Sequence, residues 1–279
     1  MMKINMKPDG DILVRKIKIN RISALILSPK ARPENAPGVL WIHGGGYVLG
    51  MKEMVHMGRA VSLVKKFGAV VIAPGYRLAF QAPYPAAIND CYDALLFVKA
   101  HAAELGIRED QIMVGGESAG GGLTAALCMM ARDKGEVDIA FQMPLYPMLD
   151  CFDTETSRNN HGKVWNTRRN HLGWKMYLRG IKSGEIPAYA SPARQTDYSG
   201  LPPAYTFVGD GEPFYAETGA FVDNLKKAGV PAEVDVYHTD MHAFDMLEPE
   251  WDISKVAAES FEKHFAYALE HYCTGGNVG

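Results

Sequence analysis

Apolar and polar positions alternate over the first forty residues, as in VRKIKI at 14–19 and SALIL at 23–27. A two-residue period places one face of each segment inward, so the pattern predicts an antiparallel opening hairpin. The rhythm then changes. Short, nearly continuous apolar runs alternate with stretches of helical period: GVLWIH at 38–43, then a helix over 53–67; AVVIAPGY at 69–76, then 86–104; QIMVGG at 111–116, then 119–133. AFQMPLYP at 140–147 is followed by an irregular stretch, AYTFVG at 204–209 by a helix over 213–228, and AEVDVYH at 232–238 by a last helix over 254–271. Strands buried on both faces and separated by ten to fifteen helical residues require right-handed crossovers, which predicts an α/β fold with a mostly parallel central sheet. Ligands of such sheets bind beyond the carboxyl ends of the strands. The segments to search are therefore those that follow 38–43, 111–116, 204–209 and 232–238.

No repeat or low-complexity linker interrupts the 279 residues, so one domain over 1–279 is expected, with the irregular stretch, about 152–200, inserted as a small cap. At 47% hydrophobic and 22% charged the chain has the composition of a globular protein, and a net charge of −3 gives no reason to seek nucleic acid or anionic lipid. The opening MMKINMKPDGDILVRK has no apolar stretch of signal-peptide length, and no segment reaches the length of a membrane span, so a cytoplasmic protein is expected. Cys91, Cys128, Cys151 and Cys273 lack CxxC spacing and read as free thiols.

Gly116-Glu117-Ser118-Ala119-Gly120 stands between an apolar run and a helical one. This G-x-S-x-G pattern fits a sharp strand-to-helix turn that lifts a serine hydroxyl off the sheet, with glycines where a side chain would strike the neighbouring strand or helix. A P-loop would need Gly-Lys-Ser/Thr here, and a dinucleotide site G-x-G-x-x-G; neither is present. Serine is a poor nucleophile without a base, and the oxyanion it generates needs fixed donors. His43-Gly44-Gly45-Gly46-Tyr47, after a strand expected beside that of the serine, offers such donors. The amides of Gly45 and Gly46 can approach closely, and Ala119 at the head of a helix completes an oxyanion hole.

HGGGY at 43–47, YRLA at 76–79, YPAAINDCYDAL at 84–95, GESAGG at 116–121 and the later GDGEPF and MHAF segments, taken in this order over roughly 38–245, resemble the hormone-sensitive-lipase-like carboxylesterases of the α/β-hydrolase fold. Phe80-Gln81 departs from the Pro-Glu that usually follows YRLA there. The resemblance implies a triad in the order Ser, acid, His. Among the histidines after Ser118, His264 and His271 fall in a helical pattern and His161 and His171 precede the acids, leaving His238 and His242. Loop placement and the likeness of MHAF to the family's His-Gly-Phe favour His242. His238-x-x-x-His242 could also suggest a metal pair, but it follows a strand and lacks the glutamate of H-E-x-x-H. For the acid, Glu212 is favoured over Asp210, because Pro213 reads as a first helical residue and relatives place the acid just before the Pro-Phe pair.

The resemblance further implies hydrolysis of short-chain acyl esters, acetyl to about hexanoyl, with a small-molecule ester as the partner, no metal or organic cofactor, and a homodimer paired through the last strand's edge. The same triad also serves thioesters and peptides, and chains of this fold that have lost catalysis only bind ligands. Tyr47, Trp165 and Phe214 are candidates for the pocket lining. Residues 156–184 carry Arg158, Lys163, Arg168, Arg169, Lys175, Arg179 and Lys182 without a single acid, so with a total of −3 the remainder holds −10. A solvated helix packing its charges against an acidic body accounts for this. The alternative is steering of anionic esters.

Overall fold

The computed structural model describes residues 10–31, 33–182 and 184–274. An eight-stranded sheet forms its centre, built from β1 (Ile12–Ile19), β2 (Ile22–Pro29), β3 (Ala36–Ile42), β4 (Val70–Pro74), β5 (Ile107–Glu117), β6 (Phe141–Leu145), β7 (Ala204–Gly209) and β8 (Ala232–Tyr237) in the spatial order β1-β2-β4-β3-β5-β6-β7-β8. The hairpin β1-β2 and the pair β2-β4 are antiparallel, and the other pairs are parallel. The alternating exposure of β1 follows from its place at the edge, whereas every residue of β3 to β6 near the site is buried.

Alternation within the central strands feeds two apolar layers. Leu40 and Ile42 of β3 join Ile26, Ile72 and Val114 on one face, under α2 (Ala86–Ala100), α4 (Ala119–Lys134) and α6 (Tyr215–Lys227). Val39 and Trp41 join Val71, Met113 and Met143 on the other, under α1 (Ala60–Phe67) and α8 (Asp252–His271). Trp41 meets Phe261 of α8 edge to face, with ring centroids 5.9 Å apart. Truncating a fully buried leucine such as Leu40 in such a layer costs about 2–5 kcal/mol. Short α3 (Ala102–Leu105), α5 (Thr167–Leu178) and α7 (Phe244–Leu247) complete the helices. No helix among the described residues is long and apolar enough to cross a membrane. All four cysteines are free; Cys91 and Cys128 are buried, Cys273 exposed.

Three boundaries differ from the periodicity. The helix expected over 53–67 is a 3-10 turn, Lys52–His56, followed by α1 from Ala60. The break falls around Gly58, whose missing Cβ leaves room for Oε1 of Glu117, 2.2 Å from where it would lie, and a glycine inside the run weakens the helix. The run over 86–104 breaks between α2 and α3 at His101. The helix expected from Pro213 begins at Tyr215, because 209–214 form a turn closed by the Glu212 side chain on the Gly209 amide at 2.9 Å.

Residues 152–200 leave the sheet after β6 and return to β7. They hold α5 and a 3-10 turn at Pro192–Arg194. Asn166 caps α5 by accepting the Arg169 amide, and Asn170, Gly173, Trp174 and Tyr177 turn inward at helical spacing while Arg168, Arg169, Lys175 and Arg179 face outward.

Candidate active site

β5 runs between β3 and β6 and delivers Ser118 at its carboxyl end, directly before α4. The turn is as sharp as the sequence pattern requires. Ser118 has φ 57°, and a Cβ on Gly120 would lie 2.0 Å from the Ile42 carbonyl oxygen, while one on Gly116 would lie 2.4 Å from it. The strained serine is held through its backbone: its amide donates to Leu145 O at 3.0 Å, and its carbonyl accepts from Gly122 and Met148.

The loop after β8 brings His242 over this hydroxyl, with Nε2 2.9 Å from Ser118 Oγ. Nδ1 of the same ring is in a short hydrogen bond with Oε2 of Glu212, which sits in the turn after β7. A carboxylate only accepts, so Nδ1 carries the proton and Nε2 presents a lone pair to the serine O–H. Ser118, His242 and Glu212 are all buried. With Oε1 on the Gly209 amide, both carboxylate oxygens of Glu212 are engaged. The rings of Tyr146 and Phe214 meet the imidazole edge to face, each with centroids 5.1 Å away.

Asp210 is placed differently. Its carboxylate takes Nδ1 of His238 at 2.8 Å and the Thr239 amide at 3.2 Å, out at the surface, where His238 is almost fully exposed. The hydrogen bond from His238 lowers the Asp210 carboxyl below its usual range, and the same contact raises the imidazole. His238 and His242 therefore point to different partners. Among the described residues no group of three His, Cys, Asp or Glu side chains is placed to hold a metal ion. His171 pairs with Asp153 and His264 with Glu233, His271 bonds its own helix at Tyr267 O, and His161 lines a polar depression on the insert beside Arg158 and Arg168.

A cavity of about 320 Å³ opens onto the serine and histidine. Gly44, Gly45 and Gly46 form its floor beside Ser118, and Val164 and Trp165 of the insert form one wall. Gly46 has φ 59°, and a Cβ there would overlap the Trp165 ring at 2.0 Å, so the insert lies directly against the glycine loop. Ala119 is buried at the first position of α4. Tyr47 and Phe214 do not reach the cavity surface. Tyr47 is buried behind it, stacked on Tyr177 at 4.0 Å and donating to Met148 O, because the chain turns at Gly46 and carries the ring inward; Phe214 supports the back of the imidazole.

The remaining walls come from residues the motifs do not reveal: Met51, Met54 and Met57 on one side, Met246 and Leu247 on another, with Tyr146 and Glu117. The i, i+3 spacing of the three methionines around the 3-10 turn is the signal that could have found them, since side chains three apart eclipse in that helix. Glu117 accepts Nε1–H of Trp41 at 2.8 Å. Its carboxyl is pushed up to about 8, chiefly by burial; the Trp41 bond opposes this and nearby Asp245 adds to it. His43 stacks on Tyr76 and bonds Gly44 O, and burial lowers it to about 4, so it is a neutral support for the glycine loop at pH 7. Arg77 grips Asp90 with two bonds of 2.8 and 2.7 Å, which ties the YRLA segment to α2, and Gln81 closes the departing turn by accepting the Leu78 amide.

Comparison with known proteins gives the same architecture. Residues 39–246 match the family described as alpha/beta hydrolase fold. The chain is 33% identical over 227 residues to the esterase LipI of Mycobacterium tuberculosis, covering 80% of this chain and 71% of that one. It is 32% identical over 244 residues to an arylesterase of Saccharolobus solfataricus, covering 85% and 78%. Among solved structures, a bacterial heroin esterase superposes with a TM-score of 0.85 at 32% identity, covering 90% of this chain and 82% of the other. With a family match across most of its length and esterases among its relatives, the chain belongs to the alpha/beta hydrolase fold family, in the carboxylesterase branch that its motifs resemble.

Proposed function

We propose that the protein is a serine carboxylesterase acting on short-chain acyl esters, acetyl to about hexanoyl, through Ser118, His242 and Glu212. The observation that carries this reading is the continuous hydrogen-bonded chain from Glu212 through His242 to Ser118, at the wall of an apolar cavity. Glu212 fixes the imidazole and stabilises its charged form. His242 Nε2 takes the Oγ proton as Ser118 attacks the ester carbonyl. The amides of Gly45, Gly46 and Ala119 receive the oxyanion: the first two border the cavity with no side chain in the way, and the third heads a sixteen-residue helix whose dipole favours negative charge. The tetrahedral intermediate collapses as the alcohol leaves with the proton from Nε2. Water, deprotonated by the same nitrogen, then attacks the acyl-enzyme and releases the carboxylic acid and the free serine.

The insert over 152–200 acts in this reading as a cap, because Val164 and Trp165 close the cavity from above the glycine loop. Its small wall and the modest cavity volume support short acyl groups over long ones.

A p-nitrophenyl ester panel from acetyl to decanoyl tests the assignment. Wild type is expected to favour the short esters and Ser118→Ala to be inactive. Glu212→Gln is expected to lose about 10³–10⁴ in kcat, as loss of the orienting acid does in comparable triads, while Asp210→Asn stays within about twofold. If Asp210→Asn abolishes turnover and Glu212→Gln does not, the acid has been misassigned.

A further inference from the structure

The two methionine-bearing walls of the cavity come from distant parts of the chain. Met51, Met54 and Met57 surround the 3-10 turn before α1, and Met246 and Leu247 belong to α7. Thioether side chains bend around differently shaped guests, so walls of this composition specify little by themselves. What fixes their separation lies behind them.

Arg59, two residues after Met57, donates Nε and one terminal nitrogen to Oδ2 of Asp245, at 3.0 and 2.9 Å, and reaches the Asp245 carbonyl at 3.4 Å. Asp245 sits in α7 between the cavity residues Ala243 and Met246, but its carboxylate turns away from the cavity and is fully buried. Its other oxygen accepts the hydroxyl of Tyr146 at 2.9 Å. Tyr146 directly follows β6 with φ 33°, a left-handed angle that a tyrosine adopts only when its surroundings hold it, and its ring braces the His242 imidazole. One buried carboxylate thus ties together the methionine turn, the histidine loop and the segment after β6, the strand beside that of Ser118.

We propose that Arg59, Asp245 and Tyr146 form a positioning clamp that sets the distance between the two methionine walls, and so determines which ester chains the site accepts, while holding the His242 loop in register. This rests on the esterase reading of Ser118. An arginine fork on a buried carboxylate has a narrow geometry that lysine cannot reproduce, which suits it to fixing a spacing. The Arg59–Asp245 pair touches no reacting atom, and Tyr146 meets the site only through its ring, against the His242 imidazole and the cavity. Its effect is expected in substrate choice more than in the chemistry of the smallest ester.

Three variants test it: Arg59→Lys, which keeps the charge and loses the fork; Tyr146→Phe, which removes one bond and keeps the ring; and the double Arg59→Met/Asp245→Leu, which avoids an orphaned buried charge. kcat and KM are measured separately for two ester series, one varying the acyl chain from acetyl to decanoyl on p-nitrophenol, the other varying a linear alcohol on acetate. Thermal unfolding is recorded alongside. The expected result is a change of about tenfold in the long-to-short kcat/KM ratio in one series for the double variant, carried mainly by KM, with Arg59→Lys intermediate and Tyr146→Phe shifted in the same direction. A merely structural role would lower Tm and scale every ester equally. Ratios in both series that superimpose on wild type for Arg59→Lys and Tyr146→Phe would overturn the clamp, and these two milder variants carry the test if the double variant does not fold. A wild type inactive toward every ester in both series would instead overturn the esterase reading, a separate and visible failure.

Discussion

Replacing Glu117 with glutamine is expected to stabilise the protein, and by an amount that grows with pH. The Glu117 carboxyl is buried next to Ser118, and burial moves it from the usual 4.5 up to about 8. In the unfolded chain it ionises from about pH 4.5, whereas in the folded protein it keeps its proton until about pH 8, so folding takes up a proton throughout that window. Stability from this group therefore falls as pH rises from 4.5 to 8, then stays level. At ~1.36 kcal/mol for each factor of ten in protonation, the full window is worth about 5 kcal/mol, and the part between pH 5.5 and 8 about 3 kcal/mol. Glutamine does not titrate, and its carbonyl oxygen can still accept the Trp41 N–H that Oε1 accepts at 2.8 Å. Urea denaturation of both proteins, followed by tryptophan fluorescence at pH 5.5, 7, 8 and 9, measures the effect. The stability advantage of Glu117→Gln should widen by about 3 kcal/mol up to pH 8 and not beyond it. Two curves that run parallel within about 0.5 kcal/mol over this range would show that Glu117 ionises normally in the folded protein, and the argument from burial would be wrong.

Other positions carry sharp expectations. Gly46→Ala brings a Cβ within 2.0 Å of the Trp165 ring at a left-handed angle, and displacement of the glycine loop should cost about 10² in kcat with a smaller change in KM; adding Trp165→Ala should recover part of the loss in steady-state assays. Arg77→Ala leaves the buried Asp90 carboxylate without its fork and should cost about 2–3 kcal/mol in chemical denaturation, with the Michaelis parameters of the folded fraction little changed. Met54→Trp fills part of the cavity and should lower kcat/KM for octanoyl relative to acetyl esters by about tenfold in the p-nitrophenyl panel.

The parts of the structure written into local sequence are those fixed by sterics and period. The nucleophile turn is legible because Gly116 and Gly120 each face a carbonyl oxygen at a distance no side chain survives, and β3 because seven consecutive residues are buried on both faces. The start of β5 is not marked by its own residues. It begins at Ile107, but Arg108, Glu109 and Asp110 interrupt its apolar run, since only the neighbouring β3 register at Ala36 and Ile107 shows that the strand starts so early. The insert is illegible for a different reason: the Thr167 hydroxyl donates to Ser157 O and accepts the Asn160 amide, and Asn160 Oδ1 accepts the Gly162 amide, so side-chain to backbone bonds with no period hold it. Tyr47 and Phe214 show the limit of reading direction from sequence. Their nearness to the motifs is plain in the sequence, but the backbone turns that carry them behind the cavity are a three-dimensional outcome.

Ser118 and His242, the proposed nucleophile and base, are 124 positions apart and are joined only once β7 and β8 have docked beyond β6. A nascent polypeptide that has completed the elbow still has an inert alcohol, so ester cleavage is withheld until β7, β8 and the His242 loop have emerged and closed the sheet. Regain of turnover after dilution from denaturant thus reports the last strands taking their places, and should trail the return of helical circular dichroism.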